Sequence, residues 1–226
     1  MKELKQRNGL LSRSPALGAV WCFASALLLG GCSALQPVVP ETVNNYALEA
    51  QFEPVAEGHG SLTLLVSTPR ARAGFDSRHM IYIKKPHELA YFSRNQWVDS
   101  PSRMLAPLLV QALESRGLYH AVVQVPSVAA ADVRLDTEII RLQQEFLTIP
   151  SKAHFTLRAQ LISLSGNQVL ATQEFDIYED APSDDPYGGV IAINRAVKKM
   201  LSRLADFCAS KSTGITPPGA TSNSRR

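Results

Sequence analysis

The side chain with the most specific chemistry in this sequence is the thiol of Cys32, which follows Leu29, Gly30 and Gly31 at the end of an apolar segment. Residues 15–31 are apolar or small throughout, and four basic residues precede them: Lys2, Lys5, Arg7 and Arg13. A basic region, an apolar region and small residues in this order are typical of a secretory signal peptide. The apolar segment ends at two glycines, short of the roughly 20 consecutive apolar residues that a spanning helix needs. The pattern predicts a signal peptide at residues 1–31 and a lipidation site at Cys32.

This segment resembles the bacterial lipoprotein signal, in which a Leu lies three residues before the cysteine and cleavage leaves that cysteine as the new N-terminus. Gly30 departs from the commonest pattern, which has Ala or Ser at that place. The alternative is an ordinary secretory signal that ends near a cysteine. The resemblance implies that Cys32 carries three acyl chains such as palmitate, of which two already anchor a protein stably. Because Ser33 and not Asp follows Cys32, it also implies sorting to the periplasmic face of the outer membrane in a two-membrane bacterium.

The charge of the chain changes when the signal peptide is set aside. The formal net charge of +3 falls to zero without the first 31 residues, because they carry four basic residues and one acidic residue. A neutral domain with interspersed charges lacks the basic patch that nucleic acid requires, so we expect no nucleic-acid partner.

Once Cys22 is removed and Cys32 is acylated, Cys208 is the remaining thiol and no internal disulfide can form. We expect Cys208 to pack in the core, with an intermolecular disulfide as the alternative.

The mature chain is long enough for one domain with its own core. We expect a flexible tether at residues 32–45, a folded domain at 46–210 and a disordered tail at 211–226, which is rich in Ser, Thr, Gly and Pro. Alternating apolar and polar residues predict strands at 46–50, 61–68, 78–84, 88–93, 121–125, 132–144, 154–163 and 169–177. The third and fourth segments are predicted to form a hairpin, and so are the last two. A change of phase near Glu138 predicts a bulge.

Two amphipathic helices complete the predicted elements. The first begins at Ser100 and contains Pro107, which should kink the helix or delay its start. The second begins after Asp185 and carries an apolar stripe that ends at Cys208. Together the elements predict an α+β fold, a single domain in which two amphipathic helices pack on one face of an antiparallel sheet.

Catalytic and metal-binding patterns are not found in the sequence. None of the histidines lies three or four residues from another histidine or a cysteine: His59, His79, His87, His120 and His154. The sequence also has no Gly-x-Ser-x-Gly elbow and no phosphate-binding loop of the P-loop type. We therefore predict no metal, no cofactor and no enzymatic activity. Tyr187-Gly188-Gly189 at a helix start could bind an anion, or its glycines could only ease the helix past neighbouring side chains.

Four residues are candidates for contacts with partners. Arg70, Arg72 and Arg78 lie in the segment after the second predicted strand, and such a basic cluster could contact lipid headgroups or an acidic protein surface. A solvated loop is the simpler alternative. Trp97 is the only tryptophan of the mature chain, and an aromatic residue of this kind packs in a core or, when partly exposed, forms an interface.

Several features occur in a fixed order after Cys32. They are Tyr46-Ala47-Leu48, the strand 62–68, Arg78-His79-Met80-Ile81-Tyr82, Leu89-Ala90-Tyr91-Phe92 ahead of Trp97, Pro101 with Met104-Leu105, Ala131-Asp132-Val133-Arg134-Leu135, and Gly189-Val190-Ile191-Ala192-Ile193-Asn194. In this combination the sequence resembles the ABC-type transport auxiliary lipoprotein family over about residues 46–208. The shared motifs are structural patterns and include no catalytic signature.

The resemblance implies a periplasmic subunit, anchored in the outer membrane, of an envelope-spanning lipid transport system. Its partners would be an MCE-domain protein that forms a tunnel across the periplasm, and an inner-membrane permease and ATPase. A cyclic homo-oligomer would match the symmetry of a tubular partner. Two other classes stay open: an envelope-assembly lipoprotein that partners an outer-membrane barrel, and an enzyme that acts on lipid or cell wall.

Overall fold

The computed structural model describes residues 42–53, 60–213 and 215. In chain order the strands of this part are β1 (Asn44–Tyr46), β2 (Thr63–Val66), β3 (Arg70–Ala71), β4 (His79–Ile83), β5 (Leu89–Trp97), β6 (Ala121–Gln124), β7 (Val133–Glu145), β8 (Lys152–Ser163) and β9 (Gln168–Asp180). Helix α1 (Pro101–Glu114) lies between β5 and β6, and helix α2 (Pro186–Ser212) follows β9. Cys32, most of the expected tether and most of the expected tail lie outside the described residues.

A mixed sheet is built around β7. Along its whole length β7 pairs antiparallel with β8, which in turn pairs antiparallel with β9. The opposite edge of β7 pairs in parallel with three shorter strands in succession, β2, β3 and β4. Beyond these, β6 lies parallel to β2, β5 lies antiparallel to β4, and β1 lies parallel to β5. The structure corrects the prediction of an antiparallel sheet, because only the hairpins and the β7–β8 pair are antiparallel.

The two faces of the long strands differ in character. Leu135 on β7 and Phe155 and Leu157 on β8 are fully buried on the face that α2 covers. The residues that alternate with these along β7 and β8 are polar and lie on the opposite face of the sheet, which we call the outer face. The pairing of β7 with β8 shifts by one residue between Ile139 and Arg141, so the alternation changes phase there. This is the bulge that the sequence predicts near Glu138.

The two helices contact each other, and their apolar stripes belong to the same core as the inner face of the sheet. At the start of α1, Ser100 is the N-cap residue but its side chain makes no capping bond, and Oδ1 of Asp99 accepts the Ser100 N–H instead. Pro107 is exposed and lies within a helix that continues from Pro101 to Glu114. In the described part of the chain, no helix combines the length and apolar character needed to cross a bilayer.

The start of α2 is capped by Asp185. Oδ1 of Asp185 accepts a hydrogen bond of 2.7 Å from the Gly188 N–H. This bond and one from the Ser183 hydroxyl hold the pKa of the Asp185 carboxyl below its ordinary value of 3.8. We expect Asp185→Ala to lower the free energy of unfolding by about 1 kcal/mol, the usual cost of a lost N-cap. Because the pKa of the folded state is depressed, this contribution is present above about pH 4 and is lost as the pH falls through the folded-state value.

Urea unfolding of the purified protein at neutral pH measures this loss. Asp185→Asn is the matched control, because it keeps an oxygen that can accept the Gly188 N–H. A loss as large in Asp185→Asn as in Asp185→Ala would contradict the capping role of this side chain.

Candidate functional site

Polar residues from three neighbouring strands meet on the outer face. The register places β8 between β7 and β9, so that outward side chains of all three strands lie side by side. We use the name His154 cluster for Arg141, Glu145, His154, Thr156 and Asp176. The cluster is not apparent when each histidine of the sequence is considered alone. The available signal was the row of polar residues at alternate positions of otherwise apolar strands.

His154 lies at the centre of the cluster and is only 3% exposed. Its Nδ1 is 2.6 Å from Oε1 of Glu145, and its Nε2 is 2.8 Å from Oδ1 of Asp176. Only a doubly protonated imidazole ring can donate to both carboxylates at once. The hydroxyl of Thr156 donates to the same Asp176 oxygen at 2.5 Å, and Nη1 of Arg141 donates to Oγ1 of Thr156 at 3.3 Å. Each carboxylate of the cluster therefore accepts from at least one donor within it.

Asp176 in the cluster and Tyr178 beside it have shifted pKa values. Burial raises the pKa of Asp176, but the hydrogen bonds from Thr156 and His154 and the positive charges of His154 and Arg141 outweigh it, so the pKa lies below its ordinary value. Tyr178 stacks on the His154 ring with centroids 3.9 Å apart, and burial together with the nearby carboxylates raises the pKa of its phenol. A carboxylate with a lowered pKa and a phenol with a raised pKa exchange protons poorly near neutral pH. The hydrogen bonds of Asp176 and the stacking of Tyr178 on His154 fit a structural network.

A groove of about 480 Å³ lies beside the His154 cluster, and we call it the outer groove. One wall is the turn 72–75, in which the Arg72 N–H donates to the carbonyl of Ile139 and the Phe75 N–H donates to the carbonyl of Arg72, both at 2.9 Å. Gly74 closes this turn with φ of 92°, a left-handed conformation that favours glycine. The backbone of this wall is therefore fixed to β7 and places Arg72 at the groove.

The other walls come from the ends of strands. The turn between β4 and β5 contributes His87, which adopts φ of 68°, and Leu89 follows it at the start of β5. Leu147 contributes from the connection between β7 and β8. The floor includes Arg141 and His154 of the His154 cluster. The outer groove thus has charged groups at its floor and apolar side chains at its rim.

The structure separates the four predicted interaction residues. Arg72 lines the outer groove, and Arg70 lines a neighbouring cavity of about 180 Å³. The guanidinium of Arg78 is used within the fold, because its Nε donates to the carbonyl of Trp97 at 3.0 Å and its Nη2 donates to Oδ1 of Asn45 at 3.1 Å. Trp97 is 1% exposed and packs in the core, so its ring is not available at the surface. Arg70 and Arg72 stay candidates for contacts with a partner.

The remaining candidates have structural roles in the described residues. The Gly188 N–H at the start of α2 is taken by Asp185, and a side chain at Gly189 would meet Oε1 of Gln144 at 2.1 Å. The glycines therefore allow the helix to pass its neighbours closely. Among the described residues, no group of three or more His, Cys, Asp or Glu side chains is arranged to hold a metal ion.

A family model described as ABC-type transport auxiliary lipoprotein component matches residues 46–205, which include nearly the whole described fold. This chain belongs to that family. As an auxiliary lipoprotein it falls in a class of membrane-anchored envelope proteins that work with other components of a transport system.

Solved structures share the fold of this auxiliary lipoprotein. The crystal structure of protein XCC0632 from Xanthomonas campestris has a TM-score of 0.68 and 23% identity, and the match covers 75% of this chain and 96% of that chain. A crystal structure of an uncharacterized protein has a TM-score of 0.60 and 14% identity, with 74% and 99% of the two chains covered. Identities this low show a common fold alone. Comparison with curated protein sequences gives no match.

Among the described residues of the auxiliary lipoprotein, the free thiol is that of Cys208, and it lies in the core. Cys208 is 0% exposed on the inner side of α2, and burial raises the pKa of its thiol to about 12. Disulfide exchange requires an accessible thiolate. Core packing is therefore the role that the structure gives to Cys208, and the folded domain does not present it for an intermolecular disulfide.

Proposed function

We propose that this auxiliary lipoprotein is anchored by Cys32 at the periplasmic face of the outer membrane and serves an MCE/ABC-type system for intermembrane lipid transport. The observation that carries the proposal is the family match over residues 46–205, which covers the folded domain and names an ABC-type transport auxiliary component. The lipidation pattern at Leu29-Gly30-Gly31-Cys32 adds the anchor.

The length of the chain between the anchor and the fold limits where the domain can lie. Strand β1 begins at Asn44, twelve residues after Cys32. A chain of that length spans at most about 40 Å when fully extended. The domain is thereby restricted to the zone next to the membrane, where it docks the tip of an MCE-domain tunnel protein. A ring of identical copies would repeat each contact around the axis of such a tunnel.

The energy for transport comes from other components in this proposal. The sequence has no P-loop, and ATP hydrolysis belongs to the inner-membrane permease and ATPase. The chain contributes binding and position.

The test is a pull-down of the acylated protein from gently solubilised envelope, followed by identification of what copurifies. We expect an MCE-domain protein, with recovery reduced severalfold in Cys32→Ala cells because the domain is no longer held at the outer membrane. Cys22→Ala is the matched control, since this cysteine lies within the predicted signal peptide and leaves the mature chain unchanged. Recovery of an outer-membrane barrel alone would favour the envelope-assembly alternative, and recovery of no transport component would overturn the proposal.

A further inference from the structure

One charged side chain at the outer groove forms no ion pair within the described part of the chain. Oε1 of Glu145 accepts from His154 and, at 2.7 Å, from Nε2 of Gln143, and Asp176 accepts from His154 and Thr156. The carboxylates near the floor are therefore already matched by donors. Arg72 lies at the groove, and none of the ion pairs in the described part of the chain includes it. One positive charge at the wall of the groove is left for an anionic group of a ligand.

The rim of the outer groove is apolar and exposed to solvent. Leu89 and Leu147 line the groove and are each 45% exposed, and Ile149 in the same connection as Leu147 is 92% exposed. Ile83 and Ile140 continue the apolar surface down into the groove and are both 7% exposed. Apolar side chains that converge on one groove in this way are typical of ligand sites and not of an ordinary surface.

An anionic amphiphile matches both the positive charge of Arg72 and the apolar rim of the outer groove. Its charged group would neutralise Arg72, and its hydrocarbon would cover the apolar side chains of Leu89 and Leu147. A free anion would leave the apolar rim exposed, and a neutral hydrocarbon would leave Arg72 unmatched.

We infer that the outer groove binds one phospholipid molecule, with its phosphate beside Arg72 and the start of its acyl chains against Leu89 and Leu147. This inference rests on the proposed role in lipid transport and adds to it a site and a ligand class. The groove is small beside a whole phospholipid, so the site holds the headgroup region and leaves the chain ends outside. Such partial binding suits a protein that passes lipid on instead of storing it.

Photocrosslinking in cells tests this site in the full chain. The photoreactive residue p-benzoyl-phenylalanine replaces Leu147 in one strain and Val169 in another, which is 55% exposed at the start of β9, away from the groove. The cells are grown with radioactive phosphate, irradiated, and the protein is purified under denaturing conditions. Free phosphate has no C–H bond for the photoproduct to attack, so covalent label reports a phospholipid. We expect light-dependent label at position 147 and little at position 169.

Charge reversal identifies the headgroup contact. In the strain with the crosslinker at position 147, Arg72→Glu should lower the label by about tenfold, because repulsion replaces a charge-assisted contact. Arg103→Glu is the matched control on α1 and should leave the label unchanged, and Arg72→Lys should keep most of it. Label that is insensitive to Arg72→Glu would overturn the inference, since it would indicate contact with bulk membrane. Crosslinks to protein without phosphate label would overturn it in favour of a docking surface.

The failure of this inference and the failure of the proposed function are distinguishable. Recovery of the MCE-domain protein is measured in the same Arg72→Glu cells. Loss of lipid label with the partner still recovered supports the phospholipid site within the proposed system. Label at position 147 that depends on Arg72, without an MCE-domain partner in the wild type, would keep the site and reject the transport assignment.

Discussion

Replacing His154 with leucine is expected to lower the free energy of unfolding by about 3 kcal/mol, because it removes the ring that hydrogen-bonds to two carboxylates, one of them nearly buried. Glu145 loses the donor at 2.6 Å, and its side chain is only 14% exposed. Leucine keeps most of the volume of the ring, so the lower free energy of unfolding comes from the missing hydrogen bonds more than from a cavity. Urea unfolding of the purified variant, followed by circular dichroism, measures the change.

The pH dependence of this loss has a defined sign. The pKa of Asp176 lies below its ordinary value of 3.8 in the folded state. Stability from such a group is fully present above the unfolded-state pKa and is lost as the pH falls through the folded-state pKa. The difference between the wild type and His154→Leu should therefore shrink as the pH falls below about 4.

Two further variants distinguish the loss of the hydrogen-bond network from the loss of a histidine in general. His120→Leu removes an exposed histidine outside the cluster and should change the stability by less than about 0.5 kcal/mol. Adding Glu145→Gln to His154→Leu removes the stranded charge and should restore part of the stability, so that the two effects are not additive. A double variant as unstable as the sum of both single variants would contradict a direct interaction of Glu145 with His154.

Local features of the fold could be predicted from the sequence. The turn chemistry around Lys85-Pro86-His87 and Ser165-Gly166-Asn167 joins the strands of the two hairpins, and these hairpins form as predicted. The phase change near Glu138 marks a real bulge. Each signal lies within a short stretch of chain, so alternation and turn residues were sufficient to find it.

The parallel half of the sheet could not be predicted in the same way. Leu64 of β2 pairs with Val133 of β7, and the turn chemistry that identifies hairpins says nothing about partners so far apart in the chain. The short strand β3 consists of only two residues, which are too few to show the alternation of a strand. The prediction of an antiparallel sheet was wrong because it extended the pattern of the hairpins to strands without a hairpin connection.

The arrangement of the candidate site depends on this parallel register, which the sequence did not reveal. Arg72 was recognised as a candidate from its local sequence, but the position of β3 against Glu138 and Ile139 decides that it faces the outer groove. Arg78 has the same residue type and a nearby position, yet the register of β4 against β5 directs its guanidinium to the Trp97 carbonyl. Residue type alone could not distinguish a free arginine from a structural one.

Gly188→Ala is expected to lower the free energy of unfolding by about 2 kcal/mol, although the same change in an ordinary helix would raise it by about 1 kcal/mol. An added Cβ at this position would lie 2.1 Å from the carbonyl oxygen of Ser183 and 2.5 Å from its hydroxyl oxygen. The segment that carries Ser183 has little freedom to retreat. The Ala181 N–H donates to the carbonyl of Ser151 at 2.8 Å, and the Ser151 N–H donates to Oδ1 of Asp184 at 2.6 Å.

Thermal unfolding checks this prediction, with Gly166→Ala as the control, because a Cβ at Gly166 meets its nearest atoms at 3.8 Å and should be tolerated. The steric effect and the N-cap of α2 share Ser183, whose hydroxyl also supports Asp185. Gly188→Ala and Asp185→Ala should therefore destabilise together by less than the sum of their separate effects. Full additivity would mean that the alanine is accommodated without disturbing the cap. An unchanged stability of Gly188→Ala would mean that the close approach of α2 to this turn is not the reason for a glycine at position 188.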